Sequence, residues 1–197
     1  MTYRVNEIFY SLQGEGRHTG RVAVFVRFSG CNLCCPFCDT EFDAHTQMTA
    51  DDIIKTVSQW GDCGFVVLTG GEPSLQIDDA LIDALHQAGF YVAVETNGTH
   101  TLPAAVDWVT WSPKDLFDKN VPTLSLKKID EIKVVFDGEH NPECYSSISS
   151  DAYLSLQPCD TGDDDRNQQI VSQCVDYILS HPHWHLSLQT HKLINIP

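Results

Sequence analysis

Strands that alternate with helices, apolar runs of strand length, and a chain of 197 residues predict an α/β fold: an incomplete, open (β/α) barrel with fewer helices than strands. Alternation calls for parallel strands joined by right-handed crossovers. A complete eightfold barrel takes about 250 residues, and several connections in this chain have no room for a full helix.

The elements follow in order. Val22-Ala23-Val24-Phe25-Val26-Arg27-Phe28 is β-branched and aromatic and reads as a mostly buried strand. Thr49, with Asp52 three residues later, resembles a capping box and opens a helix through about Trp60. Phe65 to Thr69 is a second strand, stopped by Gly70-Gly71. A helix from about Ile77 to His86 carries Leu81 and Leu85 one turn apart, with Gly89 as its stop. Tyr91 to Glu95, Trp108 to Trp111, Glu131 to Phe136 and Tyr153 to Gln157 continue the strands, and Lys133 reads simply as a strand residue. The next helix holds Ile170, Cys174 and Ile178 on one stripe. The run Asp163 to Asp165 sits at its N-terminus, where the helix dipole favours it, and Pro182 follows its end. His185 to Gln189 is the candidate last strand. With no internal repeat and no linker tract, residues 1–197 read as a single domain.

The chain is 42% hydrophobic and 20% charged, the balance of a globular protein. A formal net charge of −15 argues against nucleic acid and anionic membrane as partners, because both require a basic face. No apolar run is long enough to cross a bilayer, and Met1 to Glu7 carries no apolar signal segment, so the expected location is the cytoplasm. The same charge means that an anionic substrate needs local cations.

Of eight cysteines, four crowd into Cys31-Asn32-Leu33-Cys34-Cys35-Pro36-Phe37-Cys38. Cys63, Cys144, Cys159 and Cys174 lie apart and read as small buried hydrophobes, Cys159 being the candidate exception. Cys31, Cys35 and Cys38 put three soft thiolates on one loop after a strand, which suits an iron–sulfur cluster with one iron left open. The competing ligand is zinc, through the pairs Cys31/Cys34 and Cys35/Cys38. Adjacent Cys34 and Cys35 diverge, however, and zinc ribbons separate their pairs by a long loop. Cys34 receives no role.

Cys31-x3-Cys35-x-Phe37-Cys38 resembles the signature of the radical S-adenosylmethionine superfamily, and Gly70-Gly71-Glu72-Pro73 after a strand resembles its second motif. The resemblance narrows further. Asn6 to Gly16, Cys38-Asp39-Thr40, Glu95-Thr96-Asn97-Gly98-Thr99, Ser112-Pro113-Lys114 and Leu188-Gln189-Thr190-His191-Lys192 are similar to the 7-carboxy-7-deazaguanine synthase family. The likeness runs from near Met1 to Pro197 and is least distinctive from about Leu116 to Ser150.

That resemblance implies a barrel of radical S-adenosylmethionine type and a carbon–nitrogen lyase that turns 6-carboxy-5,6,7,8-tetrahydropterin into 7-carboxy-7-deazaguanine in queuosine and 7-deazapurine biosynthesis. It implies reductive cleavage of S-adenosylmethionine, removal of hydrogen from substrate C6, ring contraction, loss of ammonia, and regeneration of the cofactor. The cofactors implied are a [4Fe-4S] cluster on Cys31, Cys35 and Cys38, S-adenosyl-L-methionine, and Mg2+ on Thr40. Phe37, Cys38, Asp39 and Gly71 fall at cofactor positions, as do Ser112, Pro113, Lys114 and Gln157, Pro158, Cys159, Asp160 on the nucleoside side. Leu12, Gln13, Gly14, Thr69 and Pro197 fall at pterin positions, and Arg27 at the substrate carboxylate. A flavodoxin or ferredoxin as low-potential donor and a homodimer complete the expectation. Arg27 and Mg2+ would supply the cations the net charge demands.

Gln13-Gly14-Glu15-Gly16 lacks the Lys-Ser/Thr of a phosphate loop and reads as a tight turn. Glu15, Glu95 and His191 are candidate substrate contacts. His181, His183 and His185 span a helix end and read as packed or solvated side chains. Two other readings are a radical enzyme activating a protein partner, which would need an open groove, and a zinc-stabilised binding module without catalysis.

Overall fold

The computed structural model describes residues 1–38, 44–117 and 120–197, so the expected site residues Asp39 and Thr40 lie outside the described residues. The strands among them are β1 (Thr2–Leu12), β2 (Val22–Phe28), β3 (Thr46–Thr49), β4 (Phe65–Gly70), β5 (Tyr91–Thr96), β6 (Trp108–Trp111), β7 (Glu131–Phe136), β8 (Tyr153–Pro158) and β9 (His185–Leu186). They form one sheet in the order β3-β1-β2-β4-β5-β6-β7-β8-β9, with β3 and β9 at its edges. From β2 across to β9 every neighbouring pair is parallel. β1 runs antiparallel to both β2 and β3.

Helices α1 (Ala50–Val57), α2 (Asp79–Gln87) and α3 (Asp164–Ser180) cover the outside, and the short α4 (Thr190–Ile194) ends the chain. Among the described residues no α-helix links β5 to β6, β6 to β7 or β7 to β8, as an open barrel with missing helices requires. Alternate strand residues face the helices. Val24, Val26, Val66, Leu68, Val92 and Val94 share one core with Ile53 and Val57 of α1 and Leu81, Ile82 and Leu85 of α2. Ile132, Val134, Leu154 and Leu156 share a second with Ile170 and Cys174 of α3. Each fully buried aliphatic side chain contributes about 2 kcal/mol relative to exposure.

The capping box forms: Thr49 N donates to Asp52 Oδ2 at 2.9 Å and Asp52 N to Thr49 Oγ1 at 3.2 Å. α2 begins two residues later than expected, because Asp78 accepts from Leu81 N at 3.0 Å and so caps it. Two strands are additions to the sequence expectation. β1 mixes polar and apolar residues and buries only Tyr3 and Val5, while β3 is a four-residue edge. The last strand is shorter than expected, stopping at Leu186. Cys144 corrects the reading of the scattered cysteines: it is exposed, whereas Cys63, Cys159 and Cys174 are buried.

Just past β9, Ser187 N still donates to Leu156 O at 2.8 Å, and its hydroxyl accepts from Gly16 N at 2.8 Å. Gly16 begins a 3-10 turn, Gly16–His18, that sits under the barrel. Arg17 N donates to both oxygens of Glu131 at 3.1 and 3.2 Å, and the Arg21 guanidinium lies 3.9 Å over the Phe65 ring. His18 packs edge-on against Phe65 and Trp108. The turn closes the end of the barrel from which the parallel strands start, leaving the other end open.

Gly16 has φ +64°, and a Cβ there would come 2.5 Å from Glu131 Oε1; Gly20 has φ +84° but open space around it. Gly20→Ala therefore costs the backbone strain alone, about 1 kcal/mol. Gly16→Ala also displaces the carboxylate and costs about 2 kcal/mol more. Equal melting temperatures for the two variants would refute the plug.

Candidate active site

Parallel strands bring their C-terminal ends to one side, where loops can converge on a ligand. There the chain encloses a cavity of about 850 Å³, room for more than one small molecule. Cys31, Cys35 and Cys38 line it together with Phe37, Gly71, Ser112, Lys114, Gln157, Pro158, Cys159 and Asp160. Leu12, Gln13, Gly14, Arg27, Thr69 and Pro197 line the same cavity, as do Glu15, Glu95 and His191. Pro113 is the exception among the described candidates: it is buried beside Ser112 and Lys114 without lining the cavity.

The cysteine loop is locked to its neighbours through backbone. Gly71 N donates to Phe28 O and Glu72 N to Gly30 O, both at 2.9 Å. A Cβ on Gly71 would lie 2.1 Å from Gly30 O, so glycine there is a condition of the close approach. Glu72 is buried and accepts from Ser74 N at 3.0 Å, Thr96 Oγ1 at 2.7 Å and Asn97 N at 2.7 Å. Asn97 in turn donates through Nδ2 to Asn32 Oδ1 at 3.0 Å, and Asn32 donates to Thr99 Oγ1 at 2.9 Å. Three loops, after β2, β4 and β5, are thereby fixed to one another.

Burial pushes the Cys31 and Cys35 thiols up, and the Lys114 ammonium draws Cys35 part of the way back. Lys114 is itself lowered by burial and donates to Ser112 O at 3.0 Å and to Ser112 Oγ at 2.5 Å. Phe37 packs edge-on against Phe117, ring centres 4.6 Å apart. Among the described residues no three His, Cys, Asp or Glu side chains are arranged to hold a single metal ion. A tetrahedral zinc would need sulfurs about 3.8 Å apart for Zn–S bonds of about 2.3 Å. Three soft thiolate donors on one loop suit three irons of a four-iron cluster with the fourth left open, so the donor set fits the cluster.

The far wall is charged. Arg27 donates to Glu7 at 2.7 Å and lies over the Phe9 ring, which stacks on Phe25. Lys133 is almost fully buried and reaches Glu15 at 2.6 Å and Glu95 at 2.5 Å. Burial works against the Lys133 charge, but Glu15, Glu95 and Glu131 outweigh it and raise its pKa. Burial likewise opposes the Glu15 charge, yet Lys133, Gln189 and His191 hold that carboxyl down at about 2. Glu95 is raised, chiefly by burial.

The C-terminal segment completes the wall. Thr190 N donates to Gly14 O at 3.0 Å, Ser11 Oγ to Pro197 O at 2.7 Å, and Gln189 Nε2 to Glu15 Oε1 at 3.2 Å. Lys192 pairs with Asp160 at 2.8 Å and, first among its partners, holds that carboxyl at about 2. His183 and Trp184 bond Glu143, and His181 stacks on Tyr177, so those histidines are packed as expected.

Sequence reasoning passed over Lys133 and the tying role of Glu72. The signal for Lys133 was present: it has the same parity as Glu131 in an otherwise apolar strand, so both face the barrel interior.

The Radical SAM superfamily matches residues 25–146. Over 196 residues, and the whole of both chains, the protein is 52% identical to the 7-carboxy-7-deazaguanine synthase of Bacteroides thetaiotaomicron. It is 46% identical to that of Caulobacter vibrioides, again over the whole of both. The crystal structure of QueE from Escherichia coli superposes with a TM-score of 0.81 at 30% identity, over 97% of this chain and 95% of that one.

Glu72→Gln turns one of two buried acceptor oxygens into a donor facing donors, at a cost of about 2 kcal/mol. A fall in melting temperature of about 5 °C is expected for a chain of this size, with weaker S-adenosylmethionine binding. A variant that melts and binds like the parent would remove Glu72 from the loop network.

Proposed function

The chain belongs to the 7-carboxy-7-deazaguanine synthases of the radical S-adenosylmethionine superfamily, and from that membership we propose how its cavity converts 6-carboxy-5,6,7,8-tetrahydropterin to 7-carboxy-7-deazaguanine with loss of ammonia. The observation that carries the reading is one cavity lined by the three cysteines at one end and by Arg27, Glu15 and Glu95 at the other. One domain, residues 1–197, carries the whole site.

Bound together, a reduced [4Fe-4S] cluster and S-adenosylmethionine supply a carbon radical able to remove a hydrogen atom from the substrate. The chain's own residues hold and orient. Cys31, Cys35 and Cys38 hold the cluster. Gly71 offers backbone to the methionine end, and Phe37 backs it. Ser112, Lys114, Gln157, Pro158, Cys159 and Asp160 line the nucleoside side, with Pro113 buried between Ser112 and Lys114. Arg27 pairs with the substrate carboxylate, exchanging Glu7 for it, since a guanidinium forms strong bonds to carboxylate. Leu12, Gln13, Gly14, Thr69 and Pro197 enclose the pterin, whose N–H groups find acceptors in Glu15, Glu95 and His191. The turn beneath the barrel keeps water from the radical. Asp39 is assigned to the cofactor and Thr40 to Mg2+ on sequence alone.

A low-potential donor such as flavodoxin or ferredoxin reduces the cluster, and a homodimer is the proposed assembly, both on the family resemblance. A reducing compartment, the cytoplasm, suits eight cysteines among which no disulfide forms. No helix among the described residues is long and apolar enough to cross a membrane.

The deciding experiment is anaerobic: protein reconstituted with iron and sulfide, reduced, and given S-adenosylmethionine, Mg2+ and the carboxytetrahydropterin, with products followed by mass spectrometry. 7-Carboxy-7-deazaguanine is expected. Cofactor cleavage with untouched pterin would discard the substrate, and zinc without iron would discard the cluster. Cys35→Ala is expected to lose the cluster's visible absorption and all turnover; retention of either refutes the ligand assignment. Thr40→Ala is expected to keep the cluster and lose Mg2+ stimulation, whereas parental Mg2+ dependence would retire that residue as the ligand.

A further inference from the structure

We propose that Lys133 is the positioning residue of the substrate cavity, fixing the carboxylates of Glu15 and Glu95 as a pair of ionised acceptors for the N–H-donor edge of the substrate's heterocycle. This rests on the pterin reading above and adds to it how the acceptor pair is built. The carboxylates arrive from separate elements, Glu15 on the loop after β1 and Glu95 near the end of β5, and meet at the Lys133 ammonium at 2.6 and 2.5 Å.

Exposure divides the three groups by task. The Lys133 side chain is 5% exposed, while those of Glu15 and Glu95 are 19% and 20% exposed, and both carboxylates line the cavity. Lys133 lines the cavity too, but it is the most covered of the three, so the carboxylates present more of their surface to a ligand than the cation between them does. Each carboxylate has a second holder: Gln189 Nε2 donates to Glu15 Oε1 at 3.2 Å and Gln13 Nε2 to Glu95 Oε1 at 3.0 Å. Other charges bear on the group: Glu131 along β7, Lys114 from the loop after β6, and His191 from α4.

The chemistry explains why a cation is needed there. Two carboxylates on one buried wall repel, and without a counter-charge they share a proton. A shared proton turns an acceptor into a donor and points it at the N–H groups of the pterin. Stability alone does not call for this arrangement, because apolar residues of the same volume are often as stable as a buried ion pair.

The test measures binding of pterin-6-carboxylate, an oxidised, unreactive and fluorescent analogue. The protein is cluster-loaded and unreduced, with S-adenosylmethionine present. After correction for ionisation of the analogue's own ring N–H, wild type is expected to bind with little pH dependence from 6 to 9. Lys133→Gln is expected to bind at least tenfold more weakly at pH 7 and to recover as the pH rises and the shared proton leaves, with S-adenosylmethionine affinity unchanged. Lys133→Arg is expected to restore the flat pH profile. Parental affinity and profile in Lys133→Gln would overturn the proposal, as would an Arg variant with the pH dependence of the Gln variant.

Where Lys133→Gln fails to fold, the comparison moves to a Glu15→Gln background, which leaves no pair of like charges. Adding Lys133→Met there is expected to weaken binding a further tenfold through loss of hold on Glu95, and equal affinities would overturn the role. Wild-type turnover of the carboxytetrahydropterin, measured alongside, tests the activity separately. A protein that turns it over with Lys133→Gln unaffected refutes Lys133 alone, and a protein that binds no pterin refutes both.

Discussion

A charged side chain on a buried strand has to be paired, and β7 carries two of them, Glu131 and Lys133, on the face that looks into the barrel. Both find partners on one loop. Glu131 accepts from the backbone of Arg17, with the hydroxyl of Ser155 at 2.6 Å, and Lys133 binds Glu15. Pairing these two groups draws residues 13–18 into the barrel, and with them the C-terminal segment through Gln189, Thr190 and Ser187. An open sheet is thereby closed at one end by chain rather than by further strands. What stays open is the cavity above, floored by the same charges that hold the plug.

The opposite end of the cavity obeys a different constraint. A loop that brings Cys31, Cys35 and Cys38 to the cavity has to be held mainly by groups other than those thiols. Backbone bonds from Gly71 and Glu72, the triple acceptance by Glu72 and the Asn32–Asn97–Thr99 bonds do that holding. Gly70, which ends β4, and Gly71 after it are needed because the chains approach too closely for a Cβ: at Gly70 it would lie 2.3 Å from Phe28 O. A net charge of −15 is met locally, with Arg27, Lys114 and Lys133 all placed on the cavity wall.

Most of the parallel strands and their helices were legible in sequence, because buried strands need continuous β-branched runs and helices announce their caps. Thr49 and Asp52 are such a signal, and the structure forms both bonds of the box. β1 was not legible, since a strand with one covered face and polar residues scattered along it looks like loop. Nor was the end of β9, where Ser187 makes one last backbone bond to Leu156 O while its hydroxyl is taken up by Gly16 N from the distant turn. Cys144 looked like its buried counterparts because burial of a lone cysteine leaves no local mark.

The cysteine spacing, the Gly-Gly-Glu-Pro turn and the runs that make most of the parallel strands were settled by sequence alone, because each rests on residues close in the chain or on a periodicity read directly. The meeting of Glu15, Glu95 and Lys133 was decided only by the tertiary structure. Their separations of 38 and 118 residues carry no periodic signal. Each residue taken singly is an ordinary turn or strand residue, and a buried charge gains its meaning only from the partner that the fold brings to it.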